Sequence, residues 1–173
     1  MNAIKRLSLA SLLLCASVPA LAVDAVHNGA LPVQANRIVG LWDNAGQVGP
    51  CGSGVTPVNV GGYLFFHAGG TIFERPRFPP NGAPGVFGVA GNNQRTEGIG
   101  TWRFNPATGQ YTVVFRFDWF VDNAYHGYNV VERTLLMSTD GKAIAGPARS
   151  VRYLANGTVQ SAVCGSATAV RLL

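Results

Sequence analysis

The sequence predicts an all-β domain, an eight-stranded antiparallel barrel with up-and-down connections. Valine, threonine, phenylalanine and tyrosine dominate its apolar runs, and no long stretch has a clear helical period. Glycine and proline are frequent, with 22 and 10 residues, which favours many short strands and turns. Sequential hairpins form a meander, and closing the meander into a barrel removes its exposed edges. A β-sandwich is the alternative architecture.

Residues 1–22 have the pattern of a secretory signal peptide. Lys5-Arg6 precedes an apolar run from Leu7 to Leu14, and Ala20-Leu21-Ala22 offers a small-residue cleavage site. The apolar run is too short to span a bilayer. We therefore expect a bacterial protein that is secreted or periplasmic after cleavage near Ala22.

The chain without this leader has the size of one domain. It keeps 151 residues and a net charge of +3, since the leader holds two of the 13 basic residues and none of the eight acidic ones. This charge is too weak to indicate nucleic-acid binding. No second apolar run is long enough to span a membrane. Residues 23–36 lack periodicity and predict an extended N-terminal arm, followed by a barrel domain over residues 37–173.

Alternating apolar and polar residues, bounded by turn residues, mark the strands. Asp140-Gly141 and Asn156-Gly157 suit tight hairpins, because both turn positions need a positive φ. The connections 44–60 and 77–96 are longer, and the second is rich in proline and is expected to be flexible and exposed. The predicted strands are 37–43, 61–68, 71–76, 97–104, 110–120, 127–138, 142–153 and 158–171.

The fifth predicted strand has the clearest period of two. One of its faces is entirely apolar, and the other carries Thr112, Arg116 and Asp118. Period two separates the faces but does not say which of them is inward. The apolar face consists of Tyr111, Val113, Phe115, Phe117 and Trp119.

Two cysteines, Cys51 and Cys164, remain after the leader is removed. An exported chain with two cysteines favours a single disulfide between them. Such a bond would close a long loop and stabilise the fold chiefly by restricting the unfolded chain.

Gly40-Leu41-Trp42 opens the first strand, and Arg171 closes the last. This pattern resembles that of the calycin superfamily, which includes lipocalins and avidins. In that superfamily the tryptophan of a G-x-W motif packs under an arginine near the end of the last strand. The chain is also similar to small exported bacterial proteins with calycin-like barrels and, more distantly, to allene oxide cyclase-like barrels. The resemblance implies a structural role for Gly40, Trp42 and Arg171.

The candidate ligand-binding residues are charged side chains on predicted strands and aromatic side chains around one turn. Two alternatives stay open for the charged ones. On a solvated face they form weak ion pairs, and inside the barrel they form a polar cluster able to orient a ligand. The aromatic ones lie around the turn at Val121–Ala124, where they either meet a ligand or pack the mouth shut. These candidates are Arg75, Arg116, Asp118, Trp119, Tyr125, His126 and Glu132.

Other chemistry has little support in the sequence. His27, His67 and His126 lack metal-ligand spacing, so we expect no metal, and we also expect no cofactor. Ser53 stands in Gly52-Ser53-Gly54, which is not a nucleophile elbow. No catalytic residue is predicted.

Three functions compete. The leading one is the binding of a small apolar ligand in or at the mouth of the barrel, since eight-stranded barrels hold one small ligand. The second is a protein-binding or inhibitory module that uses residues 23–36 and the connection 77–96. The third is a cyclase-type enzyme, which needs Asp118, His126 or Glu132 inside the lumen. The sequence does not indicate an oligomeric state.

Overall fold

The computed structural model describes residues 33–53 and 57–173, so the expected signal peptide and residues 23–32 of the arm lie outside the described residues. It confirms the eight-stranded antiparallel up-and-down barrel. One helical turn, α1 (Val33–Asn36), precedes the strands. The strands are β1 (Gly40–Pro50), β2 (Val58–Phe66), β3 (Thr71–Pro76), β4 (Ala83–Pro84), β5 (Asn92–Arg95), β6 (Gly98–Asn105), β7 (Gln110–Val121), β8 (Ala124–Met137), β9 (Ala143–Leu154) and β10 (Val159–Arg171).

The barrel wall follows chain order through β1, β2, β3, β6, β7, β8, β9 and β10. Pairing of β10 with β1 and of β7 with β8 closes it, and every pairing is antiparallel. The short strands β4 and β5 belong to the connection between β3 and β6. β5 pairs with β7 at Asn93–Arg95, beyond the point where β6 begins, and so extends the wall at that end.

Two predictions for the beginning of the chain are wrong. The first strand, predicted over 37–43, begins at Gly40 and continues to Pro50, because its glycine-rich second half pairs with both β2 and β10. Residues 33–36, expected to be extended, form α1, and Ala35 is buried. This part of the arm packs against the barrel, so it is not free to enter a protein partner.

The beginning of β1 and the end of β10 meet at one end of the barrel, as the resemblance implied. Trp42 and Arg171 are paired across β1 and β10, and the Arg171 guanidinium lies 4.3 Å from the centre of the Trp42 ring system. Arg171 also donates hydrogen bonds to the carbonyl groups of Val39 (2.9 Å) and Gly141 (3.0 Å). A cation–π contact of this kind contributes about 0.5–2 kcal/mol. Gly40 is required beside it, because a Cβ there would stand 2.8 Å from the Arg171 guanidinium.

The segment after α1 plugs this closed end. Ile38 is fully buried, and its carbonyl oxygen accepts a hydrogen bond from the Trp42 indole at 2.8 Å. The Tyr111 hydroxyl donates to the carbonyl oxygen of Gln34 at 2.6 Å, so the wall binds α1 directly. Burial raises the pKa of the Tyr111 hydroxyl.

The apolar face of β7 points inward. Its five residues, Tyr111 to Trp119 at every second position, are all buried, while Thr112, Val114 and Arg116 between them are exposed. The buried core lies between them and the inward residues of the other strands. The core is therefore the barrel interior, and the open question of which face is inward is settled for this strand.

The predicted disulfide is present. Cys51 and Cys164 are bonded, with a sequence separation of 113. Closing a loop of this size typically stabilises a fold by about 2–4 kcal/mol. Cys51 directly follows the last residue of β1, and Cys164 lies within β10. The bond therefore links these two paired strands away from the closed end of the barrel.

None of the helices in the described part of the chain is long and apolar enough to cross a membrane.

Candidate functional site

A cavity of about 620 Å³ opens inside the barrel at the end opposite Trp42. Inward residues of β7, β8 and β9 form one wall, the far half of β1 and β2 forms the other, and residues 85–88 of the long connection lie above it. This volume is within the range of 300–1,000 Å³ that is typical of small-molecule sites.

Small side chains leave this space open. Ala148 and Ser150 are inward positions of β9 that line the cavity, whereas Ile144 fills the corresponding position near the closed end. The same strand thus fills the barrel interior at the closed end and leaves the cavity at the open end.

The cavity walls are largely apolar and aromatic. Phe115, Phe117 and Trp119 line it from β7, and Val131 lines it from β8. Phe117 and Trp119 contact each other with ring centres 5.7 Å apart. These walls favour a ligand with a substantial apolar part, because its burial removes apolar area from water.

A buried ion pair stands at the cavity wall. Arg95 of β5 donates a hydrogen bond to Oε2 of Glu74 of β3 at 2.5 Å, and its guanidinium lies 3.4 Å from the Phe117 ring centre. Burial raises the pKa of Glu74, and the attraction of Arg95 and Arg133 opposes that rise. Burial likewise lowers the pKa of Arg95 against the attraction of Glu74. The pair fastens β5, and with it the long connection, to the barrel.

Arg133 extends into the middle of the barrel from β8. Its Nη1 donates a hydrogen bond to Oδ1 of Asn44 at 2.8 Å, but no carboxylate in the described part of the chain forms an ion pair with it. Burial lowers its pKa to about 10, although the charge of Glu74 acts in the opposite direction. Its Nε is buried and has no hydrogen-bond partner among the described residues.

Arg152, on β9, is the least satisfied charged group of the cavity. The residue is 3% exposed, and Nε, Nη1 and Nη2 are all buried without a hydrogen-bond partner within residues 33–53 and 57–173. Its guanidinium lies 4.7 Å from the centre of the Trp119 ring system. Burial lowers its pKa.

Two further polar atoms beside Arg152 are unpartnered. Arg152 is paired with Asn129 across β9 and β8, and Asn129 is paired in turn with Phe117 of β7. Oδ1 of Asn129 and Nε1 of Trp119 are buried without partners, while Nδ2 of Asn129 donates to the Ser150 hydroxyl at 2.8 Å. The unsatisfied groups at this level of the barrel are therefore mostly hydrogen-bond donors.

The connection 77–96 lies over the open end. Most of its residues are exposed or half-buried, as the sequence predicted, but a few of its side chains pack against the barrel. Phe78 packs edge-on against Trp119 with ring centres 5.7 Å apart, and Val86 packs against the buried core. Nδ2 of Asn93, which is fully buried, donates to the carbonyl oxygen of Val89 at 2.9 Å. These contacts come from single apolar residues among prolines and glycines, which form no periodic pattern.

Of the predicted ligand-binding residues, Trp119 alone lines the cavity. Arg116, Asp118 and Tyr125 come together on the outer surface of β7 and β8 instead. Arg116 pairs with Asp118 on its own strand at 3.0 Å, and its guanidinium lies 3.9 Å from the ring centre of Tyr128. Side-chain hydrogen bonding to Asp118 raises the pKa of Arg116. The solvated-face alternative is thus correct for Arg116 and Asp118.

The remaining three predicted residues are dispersed. Glu132 is exposed on the outer face of β8, opposite Val114 and one position before the inward Arg133. Arg75 is exposed on β3, and His126 is the extra residue where the register of β7 and β8 shifts. Asp118 and Glu132, two of the residues that the cyclase hypothesis placed in the lumen, therefore point to solvent, and His126 does not line the cavity.

This placement predicts a small effect for Arg116→Gln. The exposed pair with Asp118 contributes at most about 1 kcal/mol, so we expect the free energy of unfolding in urea to fall by no more than that. Binding in the cavity is expected to stay unchanged, because the side chain is outside the barrel wall. A loss of binding in Arg116→Gln would place the site on the outer surface.

Sequence reasoning missed the charged residues inside the barrel: Glu74, Arg95, Arg133 and Arg152. A signal for one of them was present. If the face of β7 that carries Val113 is inward, hairpin pairing of Val113 with Arg133 places Arg133 inward as well. Arg95 had no such signal, since it lies on a short strand inside the long connection.

The described residues contain no group of three or more His, Cys, Asp or Glu side chains that is placed to hold a metal ion. His27, one of the three histidines considered above, lies outside these residues. The cavity is lined by aromatic rings, guanidinium groups and the Glu74 carboxylate.

Comparisons with known proteins give one similar solved structure to report. No protein-family model matches the sequence, and the search of curated proteins finds no match. The S-type phycobiliprotein lyase of Guillardia theta aligns with 80% of this chain and 90% of its own, at 12% sequence identity and a TM-score of 0.38. This degree of likeness carries no argument about the function of the chain.

Proposed function

We propose that this protein is exported after removal of residues 1–22 and binds one small, largely apolar ligand inside its calycin-like barrel. The observation that carries the proposal is the cavity of about 620 Å³ behind Phe115, Phe117 and Trp119. A barrel built only for stability would fill this end with side chains, as the closed end is filled around Trp42. The secretory pattern of the leader supports export to the periplasm or the medium.

The walls supply the free energy for such binding. Burial of apolar ligand surface contributes about 25 cal/mol per Å² removed from water, before the cost of immobilising the ligand is subtracted. The disulfide, the Trp42–Arg171 contact and the Glu74–Arg95 pair hold the walls in place around the cavity. A site formed in advance loses less conformational entropy when the ligand binds.

The test is a titration with the neutral fluorescent probe N-phenyl-1-naphthylamine. We expect saturable binding of one probe per chain, with an increase in probe fluorescence and energy transfer from tryptophan. Ala148→Phe, which fills the cavity from β9, is expected to weaken this binding by at least about tenfold.

Ala145→Phe is the matched control, because Ala145 is exposed on the outer side of the same strand. This variant is expected to bind the probe like the wild type. Absence of saturable binding, or equal binding by Ala148→Phe and Ala145→Phe, would contradict the proposal. Native mass spectrometry of the protein purified from its source gives an independent check for a retained ligand.

A further inference from the structure

We infer that the ligand carries an acidic headgroup, a carboxylate or a phosphate, that accepts hydrogen bonds from Arg152 while its apolar part lies against Phe117 and Trp119. The inference rests on the proposed function, since it names the chemical class of the ligand in the same cavity. It identifies the ligand as an anionic amphiphile.

The first argument is the state of Arg152. A guanidinium has five N–H donors, and buried donors are almost always partnered, because an unpartnered one loses its hydration without compensation. All three nitrogen atoms of Arg152 are buried and unpartnered, and the side chain lines the cavity. A ligand with acceptor oxygens at this place would satisfy them.

The second argument is the charge of the cavity lining. Its charged residues are five arginines and a single carboxylate, Glu74. Glu74 pairs with Arg95, and Arg77 pairs with Asp43 outside the cavity. Arg152 forms no ion pair among the described residues. An anion is therefore the ligand charge that the lining attracts, and a cationic headgroup would meet repulsion.

The third argument is the geometry of a guanidinium beside an indole. Arg152 lies 4.7 Å from the Trp119 ring centre, and the unpartnered Nε1 of Trp119 is a further donor at the same level. A carboxylate or phosphate accepts two parallel hydrogen bonds from one guanidinium, which fixes its orientation as well as its position. The apolar rings of β7 then receive the rest of the ligand.

The experiment compares two apolar probes that are similar in size but differ in charge. 1-Anilinonaphthalene-8-sulfonate is apolar and anionic, whereas N-phenyl-1-naphthylamine is apolar and neutral. Both are titrated into the wild type and into Arg152→Gln, Arg152→Lys and Arg116→Gln, after circular dichroism has confirmed that each variant is folded.

We expect Arg152→Gln to bind the anionic probe at least about tenfold more weakly and the neutral probe within about twofold of the wild type. Arg152→Lys should recover part of the anionic binding, and Arg116→Gln should change neither probe. An unchanged affinity for the anionic probe in Arg152→Gln would overturn the inference, and so would an equal loss of both probes. Failure of the neutral probe to bind the wild type would instead refute the proposed function.

Displacement of the bound anionic probe separates the two sources of the headgroup. Dodecanoate and dodecyl phosphate are compared with 1-dodecanol, which has a chain of the same length and no charge. Stronger displacement by either acid than by the alcohol supports the inference, and the better of the two identifies the headgroup. Equal displacement by all three compounds would overturn it.

Discussion

Replacing Glu74 by Met is expected to lower the free energy of unfolding by about 3–5 kcal/mol, because it leaves the buried charge of Arg95 without a counter-ion. Arg95 has few other partners, since its Nε donates to the carbonyl oxygen of Thr96 and its guanidinium otherwise faces the Phe117 ring. The attraction that Glu74 exerts on Arg133 is lost as well. Urea denaturation followed by tryptophan fluorescence measures the change.

The double variant Glu74→Met/Arg95→Met separates the ion pair from simple packing. Replacing both partners of a buried pair by apolar residues of similar volume is often neutral or stabilising, because two desolvation costs disappear with one attraction. We therefore expect the double variant to recover most of the stability that Glu74→Met loses. If both variants are destabilised equally, the loss comes from the shape of Glu74 and not from an unpaired charge.

The same double variant tests how the long connection is held. Arg95 is the charged anchor that fastens this segment to β3, while β5 also pairs with β7 through Asn93–Arg95. Two methionines retain the apolar contact but not the directed hydrogen bond. Faster proteolytic cleavage within residues 77–96, without a loss of global stability, is therefore the expected local consequence.

The outline of the barrel follows from local patterns in the sequence. Beside the turns at Asp140-Gly141 and Asn156-Gly157, each observed strand end differs from the predicted one by a single residue. The disulfide and the Trp42–Arg171 contact also follow, the first from the number of cysteines and the second from a resemblance. Each of these depends on few residues and on strong chemical preferences.

The interior of the site does not follow in the same way. Glu132 and Arg133 are neighbours in sequence, yet Glu132 is exposed and Arg133 is buried. Residue type alone therefore does not predict which charged side chain lies inside the barrel. The register shift between β7 and β8 near Trp119 changes the alternation just where the turn aromatics begin. Predicting this level of the lumen needs the three-dimensional register, and the register depends on the pairing of all eight strands.

Replacing Arg152 by Met is expected to raise the free energy of unfolding of the unliganded protein by about 1–3 kcal/mol. The reason is that a buried, unpartnered guanidinium loses its hydration and gains only its contact with Trp119 in return. Methionine fits against the same aromatic wall and has no hydrogen-bond requirement. The measurement is urea denaturation of the wild type and the variant, each freed of bound ligand.

The same substitution is expected to weaken binding of the anionic probe, so stability and binding should move in opposite directions. A purely structural arginine predicts the contrary, since its removal would lower both together. Ligand-free wild-type protein should also gain stability when the anionic probe is added, and Arg152→Met should gain much less, because only the wild type offers the guanidinium donors of Arg152 to the bound anion. A residue kept at a cost in stability is typical of a binding site, where the ligand supplies the missing partner.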